Sequence, residues 1–454
     1  MLEEDSVKIL LAAVEKLNQG FSGMPAFTPP ASDLQKIADV ISVVAAKLQD
    51  NYPYFHPLYA GQMLKPPHSV AQLAYSLAQQ INPNNHALDG GRASSAMEKE
   101  AVAEIARMCG WNEHLGHLTG GGTMANLEAL WVAGQLAPGK TILASDQAHY
   151  THQRVSGVLK LPFESIPCDT RGRMDVDALR KRLSGGDVGT VVATMGTTAT
   201  GSVDPLVDIL ELREEYGFRV HSDAAYGGYF TLARNLDRST RAAFDQIARV
   251  DSIVIDPHKH GLQPYGCGCV LFHDPDVGRL YKHDSPYTYF SSKQLHLGEI
   301  SLECSRPGAA AVALWATQRL LPLENGGEFA QGLEEGREAG LEFYARLRAD
   351  DRFVTAFAPE LDIVIFLPQS HSVSLSAARS RQIFEAAALR NLHLAVAELP
   401  LTFFAEEAAD LERDSAGTTV TCLRSVLMKA QHKQWMPRIW DILDTATNEV
   451  LRTS

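Results

Sequence analysis

Several short segments carry residue types whose spacing supports chemistry. Asp256-Pro257-His258-Lys259-His260-Gly261 follows the apolar run Ser252 to Ile255. A lysine with cationic neighbours and partial desolvation has a lowered pKa, and its amine is then competent for Schiff-base chemistry. A plain surface-loop lysine explains this one motif equally well. Val220-His221-Ser222-Asp223-Ala224-Ala225-Tyr226-Gly227 puts an aspartate after a second apolar run. Taken alone it reads best as a helix cap. Beside a pyridine ring, the carboxylate would pair with the ring nitrogen and keep it protonated, and Ala225 is small enough for the ring to lie flat on the chain.

Thr119-Gly120-Gly121-Gly122-Thr123-Met124-Ala125-Asn126 is a glycine turn before a helical run. Bare backbone N–H groups at a helix start, aided by the helix dipole, bind anions, and Thr123 adds a hydroxyl. It matches neither the Walker pattern nor the spaced dinucleotide fingerprint. In Ser145-Asp146-Gln147-Ala148-His149-Tyr150, His149 could stack on a flat ring, although a loop histidine with an ordinary hydrogen bond is commoner. Thr194-Met195-Gly196-Thr197-Thr198 ends a strand with hydroxyls that suit a phenolic oxygen or a plain turn. Each segment alone is weak to moderate. Together they supply the contacts of pyridoxal 5′-phosphate: a phosphate cradle, a stacking ring, an O3′ partner, a carboxylate for the pyridine nitrogen and a lysine.

These segments need elements to hold them. Thr141–Ala144, Val191–Thr194, Phe218–His221, Ser252–Ile255 and Gly268–Phe272 read as strands, with helices such as Leu206–Tyr216 between most of them. Alternating strands and helices imply an α/β fold whose mostly parallel sheet is covered on both faces, with ligands at the strands' carboxyl ends. Residues 1–75 read as a helical N-terminal segment and 76–325 as the large α/β domain. Residues 326–454 read as a small α+β C-terminal domain, with helices near Glu328–Asp350, Ala377–Ala387 and Trp435–Leu451 around the apolar runs Asp362–Phe366 and Leu392–Val396.

The 454 residues are 45% hydrophobic and 21% charged, enough for a sizeable core and unlike a disordered chain. The net charge of −13 argues against nucleic acid and anionic membranes as broad partners. No secretory signal or membrane span is expected. Six sparse cysteines, without zinc-like spacing, suit reduced thiols in a cytoplasmic protein, and no metal is expected.

The chain resembles the group II amino-acid decarboxylases of the fold-type I pyridoxal-phosphate enzymes, most closely their glutamate-decarboxylase branch. The likeness lies in His258-Lys259-His260-Gly261-Leu262-Gln263-Pro264-Tyr265-Gly266-Cys267-Gly268, in Ser305-Arg306-Pro307-Gly308 and in Pro359-Glu360-Leu361. Sphingosine-phosphate lyases share similar Lys and Ser-Arg-Pro-Gly segments. The resemblance implies a mixed seven-stranded sheet and a homodimer with active sites at the interface, the N-terminal segment making dimer contacts. It implies decarboxylation of an L-amino acid through a Schiff base at Lys259, with His258 beside the phosphate and Asp223 on the pyridine nitrogen. Ala225 and His149 would sandwich the ring, Thr197 would lie near O3′, and Gly122 and Thr123 would bind phosphate. Ser305 would approach the partner's phosphate, and Tyr54, His56, Tyr59 and His86 would shape the substrate pocket.

The carbon that loses CO2 must be reprotonated by a placed acid. Relatives use a loop tyrosine before the Ser-Arg-Pro segment. Here Tyr287 and Tyr289 lie early in that stretch, and His296 stands nearest the expected position. Either a tyrosine is shifted or His296 is the acid. An oxygen-dependent aldehyde synthase and a carbon–carbon lyase are the alternative activities. Arg92, Lys65 and His86 would suit an acidic substrate, whereas Tyr52, Tyr54, Phe55 and Tyr59 would suit an aromatic one.

Overall fold

The computed structural model describes residues 3–25, 27–28, 30–282, 295–405, 412, 414 and 417–453. Seven strands form the larger sheet: β1 (Leu115–Thr119), β2 (Thr141–Ser145), β3 (Phe163–Ile166), β4 (Val188–Thr194), β5 (Arg219–Asp223), β6 (Ser252–Ile255) and β7 (Gly268–Phe272), in the order β1-β7-β6-β5-β4-β2-β3. The five from β3 to β6 across the sheet run parallel, while β7 is antiparallel to both β6 and β1. Strands buried on both faces become near-continuous apolar runs, and β2, β6 and β7 are buried at every position.

β1 and β3 fall outside the strands expected from sequence. Both are edge strands, and their residues explain the omission. β1 carries Gly116 and the buried His117, and β3 is a four-residue strand with exposed Glu164 and Ser165. Gly116 is required because a Cβ there would lie 2.7 Å from the Val270 carbonyl oxygen of β7.

The register sets the site. Thr194 pairs with Asp223, and Asp223 with Val254, so β4, β5 and β6 end side by side. The turns that follow them carry Gly196, Ala225 and Lys259 to one edge of the sheet.

The smaller sheet contains β8 (Phe353–Thr355), β9 (Ile363–Pro368), β10 (Ala395–Pro400) and β11 (Thr419–Val426), ordered β10-β11-β9-β8 and antiparallel throughout. Its residues alternate between two cores, as strand geometry demands. Val364, Phe366 and Leu423 pack with helices Glu328–Arg348, Val373–Ala388 and Gln431–Thr453, while Ile365, Leu367 and Cys422 pack with Leu401, Phe403 and Phe404. Arg424 of β11 ties this sheet to the larger one. Its guanidinium donates to the carbonyls of Ala199 (2.9 Å), Gly61 (3.0 Å) and Thr198 (2.6 Å).

Helices Glu4–Gln19 and Leu34–Leu48 contain no buried residue. The second has apolar side chains at helical spacing, yet Leu34, Ile37, Val40, Ile41, Val44 and Leu48 all face outward. Among the described residues, no helix is long and apolar enough to cross a membrane.

Candidate active site

β6 delivers the chain into a tight turn in which the Lys259 amide donates to the Asp256 carbonyl at 2.9 Å and the His258 amide to the Cys267 carbonyl at 3.1 Å. The turn folds the Lys259 side chain back over Asp256, with Nζ 3.1 Å from Oδ2. His258 Nε2 lies 3.5 Å from the same oxygen. The cationic surroundings expected from the flanking histidines are therefore not what the fold builds. Burial holds His258 below the ordinary imidazole range against the pull of Asp256, and burial, aided by the Lys65 and Lys259 charges, holds His260 well below it. The charge facing Lys259 is a carboxylate.

Asp223 is the last residue of β5 and is buried. His152 Nε2 lies 2.8 Å from its Oδ2, Asn126 Nδ2 donates to the same oxygen at 3.4 Å, and the Ala225 amide donates to Oδ1 at 3.2 Å. Burial alone would raise this carboxyl. The His152 hydrogen bond and the His152 and Lys259 charges outweigh it and hold Asp223 well below the carboxylate range. Asn126 is itself oriented by His221, whose Nε2 lies 2.8 Å from its Oδ1 and whose Nδ1 lies 2.8 Å from Ser252 Oγ. Burial lowers His221 to about 3.

The glycine turn lies opposite. Gly121 has φ +149°, a backbone that side chains rarely adopt, and a Cβ on Gly122 would lie 2.7 Å from Asp256 Oδ2. Helix Gly122–Leu136 starts there without any capping side chain, so its first amides face the cavity undiverted. Thr123 Oγ1 stands 3.4 Å from Thr151 Oγ1. Glu303 shows what the turn prefers: its carboxylate accepts from the Gly120 amide at 3.1 Å.

These parts enclose one cavity of about 580 Å³. Its walls include Gly122, Thr123, His149, Asp223, Ala225, His258 and Lys259, joined by Asp256, Asn126, Tyr150 and Glu303. Burial lowers His149, with Asp223 opposing, and its Nδ1 lies 2.6 Å from Thr151 Oγ1.

The other expected residues are placed elsewhere. Thr197 is fully buried, its hydroxyl 2.7 Å from Thr200 Oγ1 and accepting from the Ser202 amide at 3.1 Å, so Thr194, Gly196 and Thr198 form that wall instead. Ser305 is exposed, and Asn84 Nδ2 donates to its Oγ at 3.2 Å. His296 does not line the cavity. Its Nδ1 accepts from the Leu88 amide at 3.1 Å and its own amide donates to Glu299, which makes it a cap for a short helical turn. Tyr287 and Tyr289 lie outside the described residues.

Tyr54 and Tyr59 pack edge to face at 4.9 Å, His56 packs on Trp435 at 4.8 Å, and His86 packs against Gly298. None of the four lines the cavity. Tyr265 lies nearer to it, its ring 4.6 Å from that of His258. Partial burial, with the Asp256, Tyr59 and Tyr54 charges nearby, pushes the Tyr265 phenol up to about 12. Arg92 belongs to a separate apolar cavity beside Leu17, and Lys65 Nζ donates to the Met428 carbonyl at 3.3 Å.

The roles of Asp256, His152 and Asn126 were not visible in sequence. Asp256 stands three residues before Lys259, and His152 stands three after His149 in the first turn of helix Thr151–Leu159, so the short spacing is the signal in both cases.

The donor set suits a flat aldehyde that carries a phosphate. A single wall amine, Lys259, is joined by a carboxylate held ionised, a helix start with bare amides, a hydroxyl, and the buried His258 Nδ1 and Asp256 Oδ1, which have no partner among the described residues.

A family model described as the pyridoxal-dependent decarboxylase conserved domain matches residues 131–368. An L-tyrosine decarboxylase of Enterococcus faecium is 28% identical over 386 residues, spanning 63% of this chain and 63% of that protein. A probable L-tyrosine/L-aspartate decarboxylase of Methanothermobacter thermautotrophicus is 28% identical, covering 67% of this chain and 82% of that protein. An L-2,4-diaminobutyrate decarboxylase of Acinetobacter baumannii is 28% identical, covering 70% and 69%. Among solved structures, Oryza sativa TDC with PLP and tryptamine superposes with a TM-score of 0.78 at 18% identity, covering 99% of both chains. Mouse CSAD gives 0.77 at 18%, covering 97% of this chain and 99% of that one. At that identity the likeness shows the fold.

Proposed function

Because the chain belongs to the pyridoxal-dependent decarboxylase family, we propose that it removes CO2 from an L-amino acid, with pyridoxal 5′-phosphate held covalently at Lys259. The observation that carries this reading is that Lys259, the ionised Asp223 and the uncapped glycine turn all face one cavity. When bound, the cofactor supplies an electron sink for the pair left at Cα as CO2 departs.

The chain's own residues would divide the remaining work. The Gly122 and Thr123 amides and the Thr123 hydroxyl would take the phosphate, with His258 beside it. Asp223 would hold a proton on the pyridine nitrogen. His149 and Ala225 would limit the ring to one plane. Lys259 Nζ would be returned to Asp256 when a substrate amine displaces it.

We infer a neutral, most readily aromatic, substrate side chain. Among the described residues, the basic groups lining the cavity are Lys259, His258 and His149, all taken up by the cofactor reading above, whereas Arg92 and Lys65 are committed elsewhere. Met124, Leu127, Tyr150 and Tyr226 supply apolar and aromatic wall. The relative named L-tyrosine decarboxylase supports this reading, whereas the name L-tyrosine/L-aspartate decarboxylase spans an aromatic and an acidic substrate.

We further propose a homodimer. The outward apolar row of helix Leu34–Leu48 is the kind of surface that association covers, and Ser305, exposed and bonded to Asn84, would have its hydroxyl hydrogen to offer the partner's site. Six unpaired thiols suit a cytoplasmic setting.

The test is direct. Purified protein is incubated with each L-amino acid while CO2, amine, ammonia and peroxide are measured. Amine and CO2 in equal amounts from one aromatic amino acid, lost in Lys259→Ala, is the expected result. Ammonia and peroxide would point to the aldehyde synthase, and no CO2 from any amino acid would overturn the proposal.

A further inference from the structure

His152 is buried at 1% exposure on helix Thr151–Leu159, and no role follows for it from the family likeness. Its Nε2 lies 2.8 Å from Asp223 Oδ2, and its Nδ1 has no hydrogen-bond partner among the described residues. The setting calls for a hydrogen on Nε2. A hydrogen on Nε2 donates to the carboxylate, whereas a hydrogen on Nδ1 would bury an unpaired N–H and turn a lone pair toward Oδ2.

The other groups facing Asp223 cannot take its place. Asn126 reaches Oδ2 at the longer distance of 3.4 Å, and its own carbonyl oxygen is engaged by His221. The Ala225 amide binds Oδ1. The charge of Lys259 acts on Asp223 from the cavity, and Lys259 Nζ is held by Asp256. His149 stands across the cavity wall with its Nδ1 on Thr151.

We propose that His152 is a positioning residue that fixes the rotamer and ionisation of Asp223. It ties up Oδ2 and leaves Oδ1 as the oxygen offered to one N–H donor in the cavity. It acts through Asp223 and does not touch the reacting atoms. The inference rests on the cofactor reading above, since the donor in question is the protonated pyridine nitrogen.

Length separates the useful variants. A glutamine amide reaches where Nε2 stands, while an asparagine amide falls short at the position of Nδ1. The test measures the pyridoxal 5′-phosphate dissociation constant of the refolded apoprotein by fluorescence quenching, and the pH titration of the holoenzyme's visible absorbance. His152→Leu and His152→Asn are expected to bind the cofactor roughly tenfold more weakly, the loss of about one charge-assisted hydrogen bond, with a displaced absorbance titration. His152→Gln is expected to restore both to within roughly threefold. Should the leucine variant not fold, the asparagine and glutamine pair decides. Equal affinity and coincident titrations for these two would overturn the proposal. Failure of the unaltered protein to bind the cofactor would instead overturn the cofactor reading.

Discussion

Lys259 Nζ lies 3.1 Å from Asp256 Oδ2, and the two residues leave β6 within the same turn. The carboxylate is buried, its Oδ2 is shared with His258 at 3.5 Å, and the absence of a Cβ at Gly122 makes room for it. One acid thus organises the lysine, the histidine expected beside the phosphate and the glycine turn. Asp256→Asn keeps the volume and removes the charge. Hydrogen bonds to charged groups contribute about 1.5–3 kcal/mol. The variant is therefore expected to lose roughly 10- to 100-fold in kcat/KM, with lowered cofactor occupancy read from absorbance. Parental kcat/KM in a fully loaded variant would show that Asp256 is dispensable.

His296→Ala tests a residue that the fold removes from the cavity. The imidazole accepts from the Leu88 amide, and truncation leaves that donor without its partner. The expected outcome is a stability loss of about 1–2 kcal/mol, seen in urea unfolding, with amine formation within about threefold of the parent. A loss of turnover beyond a hundredfold in a folded variant would restore His296 as the acid.

Legibility followed how each feature is encoded. β2, β4, β6 and β7 are readable because strands buried on both faces are largely apolar runs, and β5 through Phe218 and Val220; Asp223 closes β5 with Ala225 two residues on, and Lys259 stands four residues after β6. β1 and β3 were not, since an edge strand may carry His117 or Glu164. The glycine turn was readable because Gly121 and Gly122 are required by backbone geometry and close approach. The partners of Asp223 were not. His152 and Asn126 stand 71 and 97 residues away from it and meet it only through the sheet register. At the hydroxyl-rich end of β4 the sequence points to the right segment but not to the residue: Thr197 turns inward, and its neighbours Thr194 and Thr198 face the cavity.

The outward row on helix Leu34–Leu48 leads to a prediction about assembly. Ile37 and Ile41 stand one turn apart at 49% and 59% exposure. Ile37→Asp with Ile41→Asp adds two charges to the surface proposed to be covered, where unpaired charge is costly to bury. Sedimentation is expected to show a dimer for the parent and a monomer for the double variant at micromolar concentration. Identical sedimentation of the two would place the dimer contact elsewhere.

Lys429 predicts the pH dependence of stability. Its ammonium is buried, donates to the Tyr59 carbonyl at 2.6 Å and lies over the Tyr59 ring at 5.2 Å. Burial, reinforced by the Lys65 charge, lowers it to about 7, whereas an unfolded lysine titrates near ~10.4. His432 next to it is lowered by burial to about 3 and adds no charge at neutral pH. Between about pH 7 and pH 10 the unfolded chain therefore holds a proton that the folded chain has released. The Lys429 contribution to stability rises with pH across that window, by at most about 1.4 kcal/mol per pH unit. Below it both states are charged and the full cost of burying the cation is felt. Lys65, lowered by burial to about 8, acts in the same direction. Lys429→Met removes this titration while filling the same space. Urea unfolding at pH 6, 7, 8 and 9 is expected to show the methionine variant ahead of the parent at pH 6, with the gap narrowing as pH rises. Parallel profiles across the four pH values would mean that Lys429 keeps its proton in the folded chain.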